Sequence, residues 1–242
     1  MKQIHKTGPF TVAVLAVVAL MSTVVVASAS AALPEYKATK LSITFTFQNA
    51  SGVEPVIASY VPELGSDRNI VCKASQGKGE FAGFKGEVYK HLVFSYTGCR
   101  EQGVTPERKC TSSGHSAGEI VTQRLKGEIG YAEGSSRKNV GLELKPESGS
   151  VLAEFTCAGE AEEVTLEGCT VGEATPLNVS QKTGVLAFEE GTSHKQKWTK
   201  LEGKSGGCEL KITAAFFKLG KGTSWIMDNE LETFSENVEL KA

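Results

Sequence analysis

Aspartate is almost missing from this 242-residue chain: of 28 acidic residues only Asp67 and Asp228 are aspartate. Calcium loops written Asp-x-Asp-x-Asp-Gly cannot be assembled from this set, and carboxylate two-metal sites are disfavoured for the same reason. Close thiol and imidazole pairs are missing as well. No Cys-x-x-Cys, His-x-x-x-His or His-Glu-x-x-His spacing occurs, so Cys99 and Cys110 with His91 and His115 do not read as a zinc site. Neither a metal nor another cofactor is expected. Lys and Arg, 26 in all, are dispersed among the acids and leave a net charge of −2. A chain that coats a phosphate backbone needs clustered basic residues to displace counterions, so no nucleic-acid partner is expected. Aromatic residues make up only 7%, which argues against an aromatic-lined glycan groove. No amphipathic pattern exceeds about two helical turns, and this removes the alternating strand and helix order of parallel-sheet enzymes.

One long apolar run is present, Phe10 to Ala27, preceded by Lys2 and Lys6 and followed by Ala27-Ser28-Ala29-Ser30-Ala31-Ala32. Charged, apolar and small residues in that order spell a secretory signal peptide, expected to span 1–32 and to be cleaved. If retained, the same run would just suffice as a membrane anchor. Without it the chain has 24 basic and 28 acidic residues and no other run long enough to cross a bilayer. All six cysteines, Cys72, Cys99, Cys110, Cys157, Cys169 and Cys208, lie downstream of this segment. An even count outside the reducing cytoplasm reads as a disulfide framework, and the expected location is secreted or cell-surface.

Beyond the signal the chain is strand-like. A short flexible leader is expected at 33–40, and then Leu41, Ile43, Phe45 and Phe47 alternate with Ser42, Thr44, Thr46 and Gln48, the period of a half-wet strand. Further strands are expected at 54–61, 68–74, 86–97, 118–126, 138–145, 150–157, 162–168, 183–189, 207–217, 222–228 and 231–240. Turns are expected at Ser75–Gly79, Glu133–Ser136 and Gly203–Gly207. Many short strands at this spacing imply an all-β fold: a single disulfide-stapled β-sandwich or barrel-like domain of antiparallel strands over 41–242.

Six cysteines permit 15 connectivities. Across the polar loop Arg100–Lys109 a local Cys99–Cys110 bridge is the natural choice, leaving Cys72 with Cys157 and Cys169 with Cys208. Gly114-His115-Ser116-Ala117-Gly118 matches the Gly-x-Ser-x-Gly elbow of α/β-hydrolases. Its upstream flank, Lys109–Ser113, is polar where the elbow needs a buried strand, and the only histidine downstream is His194. A Gly-Ser turn leading into a strand is the simpler reading. Glutamate pairs such as Glu143 with Glu154, or Glu189 with Glu190, would serve a glycosidase, but alternating glutamates more often mark the solvated face of a strand. His91, Trp198 and Trp225 read as surface or core residues.

From about Ile70 to Leu177 the chain resembles a group of exported bacterial proteins of unknown function. The resemblance runs through Leu92-Val93-Phe94-Ser95-Tyr96-Thr97-Gly98-Cys99, Cys110-Thr111-Ser112, Gly118-Glu119-Ile120-Val121-Thr122, Leu125-Lys126-Gly127-Glu128-Ile129-Gly130-Tyr131 and Val140-Gly141-Leu142-Glu143-Leu144. It implies export and carries no assigned activity. The expected role is a non-catalytic structural or binding module that meets an extracellular protein or glycan, with no membrane contact once the signal is removed. The alternatives are a secreted serine hydrolase using Ser116, or an inhibitor or adhesin presenting the Arg100–Lys109 loop.

Overall fold

Alternating apolar and polar residues make strands of most of the described chain. The computed structural model describes residues 32–39, 43–62, 66–158, 163–214 and 221–242, so the expected signal segment lies, except for Ala32, outside the described residues. In chain order the strands are β1 Glu35–Ala38, β2 Phe45–Asn49, β3 Val56–Val61, β4 Ser66–Val71, β5 Ala74–Phe81, β6 Glu87–Thr97, β7 Arg100–Glu101, β8 Arg108–Thr111 and β9 Ile120–Val121. They continue as β10 Leu125–Tyr131, β11 Val140–Pro146, β12 Val151–Cys157, β13 Val164–Gly168, β14 Thr170–Thr175, β15 Ser180–Phe188, β16 Leu210–Ala214 and β17 Lys221–Lys241. No helix occurs among the described residues, and the all-β expectation holds.

Following the antiparallel pairings gives a closed barrel of eight strands, ring A: β2, β5, β6, β10, β11, β14, β15 and the second half of β17, which returns to β2. The outer strands close a second circuit, ring B, through β3, β4, β7, β8, β12, β13, β16 and the first half of β17. The chain shuttles between the two. β4 passes into β5 through Cys72-Lys73, β6 into β7 through Gly98-Cys99, and β13 into β14 through Cys169 alone. These crossings form a waist, and among the described residues only β17 runs unbroken across it.

Ring A is filled rather than hollow. Phe45, Phe47, Tyr89 and Phe94 meet inside it, with Phe45 and Tyr89 ring centroids 4.4 Å apart and Phe47 and Phe94 5.4 Å apart. Small residues face the large ones, as a tapering barrel interior requires. Gly77 is the clearest case: a Cβ there would lie 2.7 Å from the Phe94 ring. This overturns the turn expected at Ser75–Gly79, which is the body of β5; Gly77 supplies room for an aromatic ring and Gly79 for the β6 backbone, and neither reverses the chain. Outward positions on the same strands carry Thr46, Gln48, Gln76, Lys78 and Glu80, all at least partly exposed.

Three further differences from the sequence reading have physical causes. The expected leader contains β1, which pairs with the end of β17 and buries Tyr36 against Phe81, Tyr89 and Phe234. In β6, plain alternation sets Tyr89 opposite Leu92, Phe94 and Tyr96. A bulge at His91, where φ is 51°, shifts the phase so that all four side chains are buried. The two strands expected at 222–228 and 231–240 are one continuous strand, β17.

All six cysteines are oxidised, but two of the three expected pairs are wrong. The bonds are Cys72–Cys99, Cys110–Cys157 and Cys169–Cys208. Cys110 and Cys157 are direct cross-strand partners on β8 and β12, and Cys72 meets Cys99 where two crossings of the waist run side by side. Cys99 and Cys110 are backbone neighbours, the Cys110 amide donating to the Cys99 carbonyl at 3.1 Å, yet each bonds away from the other.

Candidate functional site

Two features stand apart from ordinary core. The first is the β7–β8 hairpin of ring B. Arg100 pairs with Lys109 and Glu101 with Arg108, leaving Gln102–Glu107 as the tip, which is exposed except at Val104. Cys99 fixes one side of the base to the β4–β5 crossing and Cys110 fixes the other to β12. At the base, buried Glu101 accepts from Arg68 and lies 3.6 Å from Arg108. The expected loop is therefore present and held at its base by two disulfides, although not by the Cys99–Cys110 bridge.

The second feature is a ladder of carboxyl groups inside ring A. Asp228, Glu230 and Glu232 occupy alternate positions of β17, so their side chains share one face, and they are 3%, 0% and 5% exposed. The Ser75 hydroxyl donates to Asp228 at 3.1 Å; the Tyr36 hydroxyl donates to Glu232 at 3.3 Å, and that of Tyr89 donates to the other oxygen of Glu232. Asp228 Oδ1 and both oxygens of Glu230 have no hydrogen-bond partner. Burial raises all three carboxyls, Glu232 to about 8 even though its tyrosine hydrogen bonds pull the other way. Asp228 and Glu230 titrate as a pair: burial raises both, and the Asp228 charge pushes Glu230 further, to about 9. In turn, burial first and then these acids raise the hydroxyls of Tyr36, Tyr89 and Tyr96 well above the ordinary phenol range.

The sequence reading missed this ladder. Strands expected at 222–228 and 231–240 separate Asp228 from Glu232, and glutamates alternating on a strand ordinarily mark its wet face. The signal was nevertheless there, because Ile226, Phe234, Val238 and Leu240 share the parity of the three acids and are all buried.

The other sequence candidates are kept apart. Ser116 is exposed on a turn between β8 and β9, with Gly114 and Gly118 at φ of 80° and 85° and no helix behind it. Its amide donates to Glu119 at 3.3 Å, and the neighbouring His115 ring also faces Glu119, at 3.7 Å. His194 is committed elsewhere: its ring stacks on Tyr60 at 4.3 Å and Nδ1 lies 3.4 Å from Asp67. Glu143 is bridged by Lys145 on the outside of ring A, whereas Glu154 belongs to ring B, and Glu189 pairs with Lys197 at 2.6 Å. His91 lies 3.0 Å from Glu147, whose carboxyl is held below its usual range, chiefly by the His91 amide. Trp225 is buried, and Trp198 donates to Glu173 at 3.1 Å. Among the described residues no cluster of His, Cys, Asp and Glu is arranged to hold a metal ion.

Small cavities touch the ladder and the base of the hairpin, while open clefts of ≈ 560 Å³ and ≈ 510 Å³ lie beside Tyr36 and Glu147. The cavity that touches Glu232, between β15 and the end of β17, measures ≈ 20 Å³, and the one inside ring B, beside Arg68 and Glu101, ≈ 30 Å³. Each of these two small cavities has room for about one water molecule. Comparison with family models, curated proteins and solved structures finds no match to this chain.

Proposed function

We propose that this chain is exported and acts outside the cytoplasm as a non-catalytic β-barrel module, binding an extracellular protein or glycan through the tip of the β7–β8 hairpin. The observation that carries this reading is the hairpin itself: an exposed tip, Gln102–Glu107, on a base fixed by Cys72–Cys99 and Cys110–Cys157. A loop ordered before it meets its partner loses less conformational entropy on binding, so stapling its base favours affinity. Three disulfides are consistent with an oxidising environment, and they support export together with the charged, apolar, small-residue order of the N-terminus. Apolar side chains inside ring A and polar ones outside reverse the arrangement of a membrane-spanning barrel, which favours an aqueous setting.

A serine hydrolase is not favoured, since Ser116 lies on an open turn with its amide on Glu119 and His194 is stacked against Tyr60. The test pairs two probes on the oxidised protein. On arrays of glycans and extracellular proteins, binding should fall at least ten-fold when Gln102, Val104, Thr105 and Glu107 are all changed to serine, with the melting temperature unchanged. A fluorophosphonate should leave Ser116 unlabelled. Labelling of Ser116, or binding indifferent to the tip, would overturn the proposal.

A further inference from the structure

Buried carboxylates persist where a cation or a set of donors compensates them. Around the ladder neither is supplied in full. Ring A presents Ser75 from β5 and Tyr89 and Tyr96 from β6, and β1, paired on the end of β17, adds Tyr36. Phe45 and Phe47 line the β2 side, and Gly184 of β15 lies opposite Glu232 in the ladder register. Among the described residues no lysine, arginine or histidine touches or perturbs the three acids. Asp228 Oδ1 and both oxygens of Glu230 are orphaned, and the two side chains, alternate residues on one face of β17, interact with each other. A single proton held between these two carboxyls gives one of them a donor and the other an acceptor, which removes most of the deficit. The Ser75 hydroxyl, the nearest other donor, is already given to Asp228 Oδ2.

The wall beside the ladder also contains a register slip. β15 and β17 pair in register from Thr183↔Thr233 to Phe188↔Asp228, then slip, so that Gln181 meets Val238. Residues 234–237 are thereby left without β15 partners, and the water-sized cavity at this slip is bounded by Glu232, Tyr36 and Phe234.

We propose that Asp228, Glu230 and Glu232 form a proton-held latch: while they carry protons ring A stays shut along β17, and when alkaline solution removes them the wall opens at the slip between β15 and β17. The raised titration ranges of Glu230 and Glu232 agree with this. The sign comes from linkage. A carboxyl that keeps its proton in the folded chain and loses it on unfolding contributes stability that is complete below about pH 4.5 and is lost as pH rises through its folded value. Each retained proton makes the unfolding constant rise about ten-fold per pH unit, so Glu230 and Glu232 together give roughly a hundred-fold per unit between about pH 5 and pH 7.5.

The experiment is denaturant unfolding of the oxidised protein across that range, for the wild type and for Glu230→Gln with Glu232→Gln, whose amides keep the shape without titrating. The wild type should show the steep slope and the double variant should lose it. Amide exchange corrected for its intrinsic pH dependence should rise at alkaline pH first in residues 180–188 and 228–240. A slope that survives in the double variant, or protection lost evenly over ring A, overturns the latch. If the double variant does not fold, infrared spectroscopy of the wild type decides: a protonated-carboxyl band at neutral pH that fades on alkalisation upholds it, and absence of the band refutes it.

Discussion

At the scale of single residues, this molecule places glycine and large side chains opposite one another, and sequence periodicity reads only half of that arrangement. Alternation correctly marks Phe45, Phe47, Leu92 and Phe94 as inward, because successive side chains of a strand point to opposite faces and the apolar set goes to the core. It is blind to Gly77, whose role is to leave space, and to Leu201, which has no strand around it to set a period. Leu201 is fully buried on the outside of ring A, where a Cβ on Gly141 would lie 2.8 Å from it and one on Gly130 3.1 Å. Leu201→Ala is expected to cost about 2–4 kcal/mol in denaturant unfolding, because backbone on both sides limits collapse into the vacated space. A change below about 0.5 kcal/mol would mean that the Leu201 side chain is not held there. The carboxyl ladder was hidden in the same way, since charge on a strand signals water unless its parity with the neighbouring apolar residues is checked first.

At the scale of elements, residues 189–209 between β15 and β16 form a strap across the outside of ring A. It is held by Cys169–Cys208, by a bridge from Trp198 to Val171 and by Lys204, 2.5 Å from Glu128. This cover explains why β10 and β11 are buried on both faces while reading as half-polar strands. Opening that disulfide with Cys169→Ala and Cys208→Ala should lower stability by about 3–4 kcal/mol through the regained freedom of the unfolded chain, and amide exchange in 196–204 should quicken. Unaltered exchange there would show that Leu201 and the ion pairs hold the strap unaided. The disulfide pairing itself should appear on peptide mapping without reduction as 72–99, 110–157 and 169–208. Spacing alone favoured Cys99–Cys110, since a short loop is the cheapest to close. The pairing that forms is set by contacts between strands far apart in sequence, which no local pattern encodes. The Gly-Cys steps were a partial clue: Gly98 and Gly168, with φ of 67° and 105°, mark places where the chain leaves one ring for the other.

At the scale of the whole molecule, two opposed titrations should give stability an unusual pH profile. On the acid side, burial raises the Glu128 carboxyl, but hydrogen bonds and charge from Lys145 and Lys204 outweigh it and hold it at about 2. A carboxyl depressed in the folded state contributes fully above about pH 4.5, and its contribution is lost as pH falls toward 2. On the alkaline side the ladder acts in reverse. The melting temperature should therefore peak near pH 4.5–5, where ordinary carboxyls titrate, and fall on both sides. Glu128→Gln should soften only the acid limb, and a flat profile from pH 5 to pH 8 would contradict the buried ladder. The all-β, disulfide-linked class was legible in the sequence because it needs only composition and period. Two rings sharing one strand were not, since closure is decided by partners far apart in the chain. That sharing bears on how the protein is made: neither circuit can join up before residues 221–241 have been synthesised, so a nascent chain short of them has two unsealed sheets whose free edges are open to pairing with other chains.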